Sequence, residues 1–273
     1  MKAARSVPVL MYHHVSPSPG LVTTTPRNFA DHMRGLAAAG YRTLTAAQFA
    51  AFLGGESAPD KSVLLTFDDG YLDNWVYAFP ALREHGFSAV VFLVTDWVKD
   101  GPRRPHAGES AARPATPDHN ECKRRVADGR SDDVILRWSE IDAARADGVF
   151  EFHSHTHTHT RWDKTCADST SKREALGGDL QAARSVLTQR LGSCGDHLCW
   201  PQGYFDDDYI AVANASGFRY LHTIAPGANR CHDDPARIHR MVVKDKPAVW
   251  LLSRLWIYRH PLLARWYAGG RAN

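Results

Sequence analysis

The chain has 273 residues, 44% of them hydrophobic, which is enough for one packed domain and excludes wholesale disorder. With 33 Lys and Arg against 30 Asp and Glu, the formal net charge is +3 with His neutral, so the charge gives no reason to expect nucleic-acid binding. No stretch reaches the roughly 20 apolar residues needed to span a bilayer. The five cysteines form no Cys-x-x-Cys pair, which favours reduced thiols.

In chain order, a weakly basic start leads into a short apolar run that carries Pro8 and reaches Tyr12, His13 and His14 almost at once. That makes a poor signal peptide and a better first buried strand over 7–12. A cytoplasmic location is therefore expected. Helices are predicted over 29–39, ended by Gly40, and over 46–53, ended by Gly54 and Gly55. The apolar run 62–67 reads as a strand whose C-terminal end carries Asp68, Asp69 and Gly70. A helix over 77–85 closes at Gly86, and 88–94 is strongly β-type.

Residues 99–133 break this rhythm. They hold Pro102, Pro105, Pro114 and Pro117, several Arg and few apolar side chains, and read as a long surface insertion or lid. Beyond it, a helix over 138–146 precedes a strand over 149–152. A long helix over 174–191 follows, then strands at 198–200 and 220–224 joined by a helix over 207–215. The repeated strand–helix alternation, with polar residues just after strands, predicts an α/β barrel with its site at the strand C-terminal ends. The domain is expected to span 1–246, leaving a Trp- and Arg-rich tail over 247–273. A helix packed on the barrel is the simpler reading of that tail. A helix in peripheral contact with the inner face of the membrane is the other.

Three short motifs carry chemistry. The first is Thr66-Phe67-Asp68-Asp69-Gly70, followed by Tyr71. Adjacent carboxylates repel unless a cation or proton relieves them. Neighbours on an extended backbone point in different directions, so one carboxylate can bind a metal while the other faces its water. The second is the run from Glu151 to Thr160, with His153, His155, His157 and His159. On a strand all four imidazoles share a face; on a helix His155 and His159 pair, as do His153 and His157. Imidazole is a common ligand for zinc and similar metals. The third is Trp200-Pro201-Gln202-Gly203-Tyr204, where a Pro-x-Gly turn lets a backbone N–H approach a ligand as an oxyanion donor.

Taken together and in this order, the motifs resemble the polysaccharide deacetylases (carbohydrate esterase family 4). The opening Val9-Leu10-Met11-Tyr12-His13-His14-Val15 also looks like the start of one branch of that family. The resemblance runs from about Val7 to Ile224. It implies an irregular (β/α) barrel with fewer than eight βα units. It further implies one divalent transition metal, usually Zn2+, held by Asp69, His155 and His159, with Asp68 as catalytic base. The implied reaction removes the N-acetyl group of an N-acetylated carbohydrate and releases acetate. The sugar could be a polysaccharide or a lipid- or nucleotide-linked N-acetylhexosamine.

Two departures stand out. Where the family often has Arg-x-Pro-Tyr-Gly, this chain has Cys199 at the Arg position and Gln202 at the Tyr position. The Gln202 backbone N–H can still serve the oxyanion, because that role needs no particular side chain. The late histidine that acts as general acid in many relatives has His239 as its first candidate here, with His222 and His13 as others. Tyr71, Trp200, Pro201, Gly203, Tyr204 and His13 are the expected substrate contacts. The rival enzymatic reading is an O-deacetylase or phosphoesterase; the rival non-enzymatic reading is an inactive sugar-binding barrel.

Overall fold

A computed structural model describes residues 2–269; Met1 and the last four residues of the predicted tail lie outside them. The strands are β1 (Val9–Tyr12), β2 (His14–Val15), β3 (Thr23–Thr24), β4 (Arg42–Thr43), β5 (Ser62–Phe67), β6 (Ala89–Leu93), β7 (Phe150–Ser154), β8 (His197–Cys199), β9 (Tyr220–His222) and β10 (Met241–Val242). Seven of them form one curled parallel sheet in the order β10-β1-β5-β6-β7-β8-β9, and β4 pairs with the first residues of β5. The two outer strands approach each other through Ile238, which bridges His222 and exchanges hydrogen bonds with Thr223 and Leu221 at 3.0 and 2.9 Å. The result is the irregular, incompletely closed (β/α) barrel expected from the sequence.

The helices are α1 (Pro26–Ala38), α2 (Ala46–Leu53), α3 (Phe79–Glu84), α4 (His119–Ala127), α5 (Trp138–Ala146), α6 (Trp162–Thr165), α7 (Ser169–Leu191), α8 (Asp207–Ala215), α9 (Ala248–Tyr258) and α10 (Pro261–Gly269). Two start earlier than the apolar periodicity suggests, because caps set the boundary. Thr25 accepts from Asn28 N–H ahead of Pro26, and Asp168 accepts from Thr170 and Ser171. Both are ordinary N-cap chemistry. The helix predicted over 77–85 instead begins as a π-type turn over Asn74–Ala78. Pro80 lacks the N–H that a regular α-turn would need there.

Strand alternation sorts the core into two layers. Val63, Leu65 and Phe67 of β5, with Ala89, Val91 and Leu93 of β6, pack outward under the helices. Leu64 of β5, Val90 and Phe92 of β6, Cys199 and Ile238 face the barrel interior, closed at the bottom by Phe49 and Phe52 of α2. This alternation places Asp68, one step past β5, on the interior side.

The 99–133 segment is firmly attached. Arg104 donates to both Glu140 oxygens at 2.7 and 2.8 Å and to the Asp132 and Ile135 carbonyls. Ser16 Oγ donates to the Thr116 carbonyl at 2.7 Å. The tail forms α9 and α10, and α9 crosses α1 so closely that a Cβ on Gly35 would meet Ala248 Cβ at 2.7 Å. Leu251, Leu255 and Tyr258 are buried there, while Leu262 (84% exposed) and Trp266 (79%) face outward. No described helix is long and apolar enough to cross a membrane.

Candidate active site

Asp68 and Asp69 follow β5 directly. On a continuing strand their side chains would diverge. Asp69 instead adopts φ 72° and Gly70 φ 72°, and this left-handed step turns the second carboxylate toward the same cleft. Glycine is required at 70, because a Cβ there would meet Leu93 Cδ2 at 2.6 Å on top of the positive φ.

His155 comes one step past the end of β7. Its Nδ1 donates to the Cys199 carbonyl at 2.8 Å, which fixes the tautomer and leaves Nε2 as a ligand atom. The chain then turns through Thr156 (φ 68°) and His159 (φ 61°). Asp179 of α7 stabilises this turn by accepting from His157 N–H, Thr158 N–H and the Thr158 hydroxyl at 3.1, 3.0 and 2.7 Å. The four histidines are therefore on neither one strand nor one helix. His155 and His159 meet across the turn, while His157 bonds Thr95 and His153 stays on β7.

Asp69 Oδ1 lies 3.3 Å from His155 Nε2 and 3.5 Å from His159 Nε2. It is buried and accepts no hydrogen bond of ordinary geometry. An orphaned anionic oxygen facing two imidazole nitrogens has the donor set and spacing of a three-ligand metal centre. The ligand atoms of Asp69, His155 and His159 all lie within 4.8 Å of one another. Burial holds His159 down to about 4, although Asp69 pulls the other way; a neutral imidazole is the form that ligates a metal. A second group, Asp68, His155 and Cys199, has similar spacing, but its carboxylate is already engaged.

Asp68 is buried and receives both arms of Arg240, at 2.6 and 2.8 Å. Burial alone would raise its carboxyl, but the Arg240 guanidinium and His13 hold it below the usual range. Arg240 also donates to the Thr223 carbonyl at 2.7 Å and to Cys199 Sγ at 3.0 Å. Cys199, which stands where the family motif often has Arg, thus abuts a guanidinium delivered from the other edge of the sheet, just ahead of β10. Sequence reading missed Arg240. Its signal was alternation: Ile238 faces the interior, so Arg240 shares that side and His239 does not.

The cleft above these groups has a volume of about 680 Å³, and its lining includes His13, Tyr71, Trp97, Trp200, Gln202 and Gly203. Of the expected substrate contacts, Pro201 and Tyr204 do not line it. Pro201 is buried at the start of its turn, and Tyr204 stacks under Arg161 at 4.0 Å. Among the acid candidates, His13 lines the cleft with Nε2 3.7 Å from Asp68 Oδ2. His239 does not line it; its Nδ1 lies 3.3 Å from the Ala225 carbonyl. His222 is buried deeper, against His197 at 3.0 Å. Gln202 takes φ 55° and, with Val22, Asp69, Thr156 and His159, makes five left-handed non-glycine residues at or beside this cleft, a clustering of strain common at working sites.

Comparison with known proteins bears on what this arrangement does. The family profile described as polysaccharide deacetylase matches residues 55–221. The Bacillus subtilis (strain 168) protein YxkH is 39% identical over 89 residues, 32% of this chain and 32% of that protein. The poly-beta-1,6-N-acetyl-D-glucosamine N-deacetylase of Staphylococcus epidermidis is 24% identical over 227 residues, 82% of this chain and 68% of that protein. The chain therefore spans about a third of the first relative and about two thirds of the second. Among solved structures, the Streptococcus pyogenes deacetylase PplD in complex with acetate superposes with a TM-score of 0.72 at 18% identity, covering 92% of this chain and 99% of that one. IcaB from Ammonifex degensii gives 0.69 at 23%, covering 94% and 98%.

Proposed function

We propose, from the premise that this chain belongs to the polysaccharide deacetylase family, that it hydrolyses the N-acetyl group of an N-acetylated amino sugar and releases acetate. The observation that carries the reading is the convergence of Asp69, His155 and His159 beside an ionised, buried Asp68. Asp69, His155 and His159 would hold one divalent cation, most simply Zn2+. Bound there, such an ion supplies Lewis acidity to an acetamide oxygen and acidifies a water.

The protein's own groups account for the remaining steps. Arg240 keeps Asp68 ionised and aims its carboxylate, so Asp68 can take a proton from the attacking water. The Gln202 backbone N–H is offered to the oxyanion that forms at the acetyl carbon. His13, not His239, stands at the cleft beside Asp68 and can relay the proton that Asp68 takes up to the leaving amine. Trp97, partly exposed at the cleft, offers an aromatic surface to the C–H side of a pyranose ring. A lipid-carried sugar is supported by the outward Leu262 and Trp266 beside Arg265, side chains suited to a bilayer interface.

Acetate release from N-acetylated sugars by the metal-loaded chain, abolished by chelation and restored by metal, tests the reading. Absence of acetate from free, polymeric, nucleotide-linked and lipid-linked substrates alike would overturn it.

A further inference from the structure

The geometry points to His119, carried by the 99–133 segment, as a positioning residue for the sugar, its Nε2 held as a hydrogen-bond acceptor by Asp73 acting through His14. This rests on the deacetylase reading of the cleft.

Asp73 is a buried carboxylate. Its Oδ1 accepts Val15 N–H at 3.0 Å and Asn74 Nδ2 at 2.9 Å. Its Oδ2 lies 2.6 Å from His14 Nδ1. A carboxylate used in this way only accepts, so His14 carries its proton on Nδ1. His14 is fully buried and stacks on Tyr71 with ring centres 3.8 Å apart. Its Nε2 then has a lone pair, and His119 Nδ1 lies 3.2 Å away. The donor at this contact is then His119 Nδ1, which leaves the lone pair on its Nε2. Burial and the neighbouring His14 hold His119 down to about 4, in keeping with a neutral ring.

His119 is also where the segment meets the substrate space. It opens α4, and His119, Lys123, Val126 and Ala127 all line the cleft. Their spacing of four, seven and eight residues is one helical face. Asp118 caps this helix through Asn120 and Glu121 N–H at 2.9 and 3.1 Å, and the cap fixes where His119 stands. A sugar offers hydroxyl and amide donors, and a fixed acceptor selects among them. On this account the segment that lacks any of the family's motifs reads the sugar ring, while the strand ends perform the hydrolysis.

The test is steady-state acetate release by the metal-loaded full chain on N-acetylglucosamine oligomers and their monodeoxy analogues. His119→Asn keeps an amide donor near the Nδ1 position and removes the Nε2 acceptor; His119→Gln keeps an acceptor near Nε2. His119→Asn is expected to raise KM roughly tenfold with kcat within about twofold, the size of one lost hydrogen bond. His119→Gln should recover to within roughly threefold. One monodeoxy analogue should lose the same factor against the wild type and nothing further against His119→Asn. Loss of kcat alone, or equal losses for every analogue on both proteins, would overturn the assignment. Calorimetric binding of the oligomer separates this from the parent reading. A wild type that binds but releases no acetate ends the deacetylase reading, and the same tenfold affinity difference for His119→Asn still decides the positioning role.

Discussion

His153 and His155 sit two residues apart on the same side of β7, yet they belong to opposite environments. His155 stands at the strand end, 3.3 Å from a buried carboxylate. His153 stands one layer lower, with its ring centre 5.0 Å from that of His197, which in turn contacts His222. The upper layer gathers charge: Asp68, Asp69, Arg240 and two imidazoles. In the lower layer burial and the neighbouring His153 hold His197 well below the ordinary histidine range, and burial and His197 do the same to His222, so these two rings stay neutral. The same residue type thus becomes a candidate ligand or a packing ring according to whether a carboxylate or an aromatic surface faces it.

Substitutions should separate the two layers, and the largest effect belongs to the upper one. Asp69→Ala should cut bound metal to a small fraction of one per chain. Turnover should fall roughly a thousandfold, the equivalent of about 4 kcal/mol of lost stabilisation; elemental analysis and acetate release measure both. His222→Phe should leave metal content unchanged. Metal lost on His222→Phe and kept on Asp69→Ala would reverse the assignment of the layers.

Asp68→Asn comes next: metal retained, turnover down at least roughly a hundredfold, with near wild-type rates counting against its role as base. Arg240→Lys should lower kcat by about tenfold to a hundredfold, because a lysine cannot reproduce the fork held by Asp68. Arg240→Ala should also lower the melting temperature, since it leaves Asp68 buried without its partner.

Acid should act on the His197–His222 pair and on Asp68 in separate windows. His197 and His222 have depressed values in the fold, so the unfolded chain binds more protons than the native one below about pH 6.5. Their contribution is complete above that pH and is lost as pH falls, by up to about 2.7 kcal/mol per pH unit for the two rings together. Asp68 is also depressed, but its contribution is lost only as pH falls below the ordinary carboxylate range of about 4. Chemical denaturation between pH 7 and 5 should therefore show a stability slope that His222→Phe reduces and Asp68→Asn leaves in place. The smallest effect is expected far from both layers. Trp266→Ala with Leu262→Ala should reduce co-sedimentation with anionic vesicles a few-fold while leaving acetate release from a soluble sugar unchanged. Equal pelleting of variant and parent would remove the membrane contact.

Much of the barrel was legible in sequence because its signals are local. Apolar runs of strand length, glycines at helix ends and Asp68-Asp69-Gly70 after β5 each report on their own neighbourhood. Cap residues shifted two helix starts, and Pro80 replaced part of a predicted helix with a π-type turn. The metal candidates Asp69, His155 and His159 came from family likeness, since spacing alone left two histidine pairings open.

The sequence by itself determined most of the alternation of strands and helices and the residues at the strand ends, because periodicity and turn chemistry act over a few residues, and the likeness of its motifs to a family supplied the chemical type of the site. Only the tertiary structure decided that the guanidinium beside Asp68 comes from Arg240, that Asp179 folds the histidine run into a turn, and that His119 stands at the cleft backed by His14. Those partners lie 172, 22 and 105 residues apart along the chain. Such pairs are set by the curvature of the sheet and the packing of α4 and α7, which no short window of residues records.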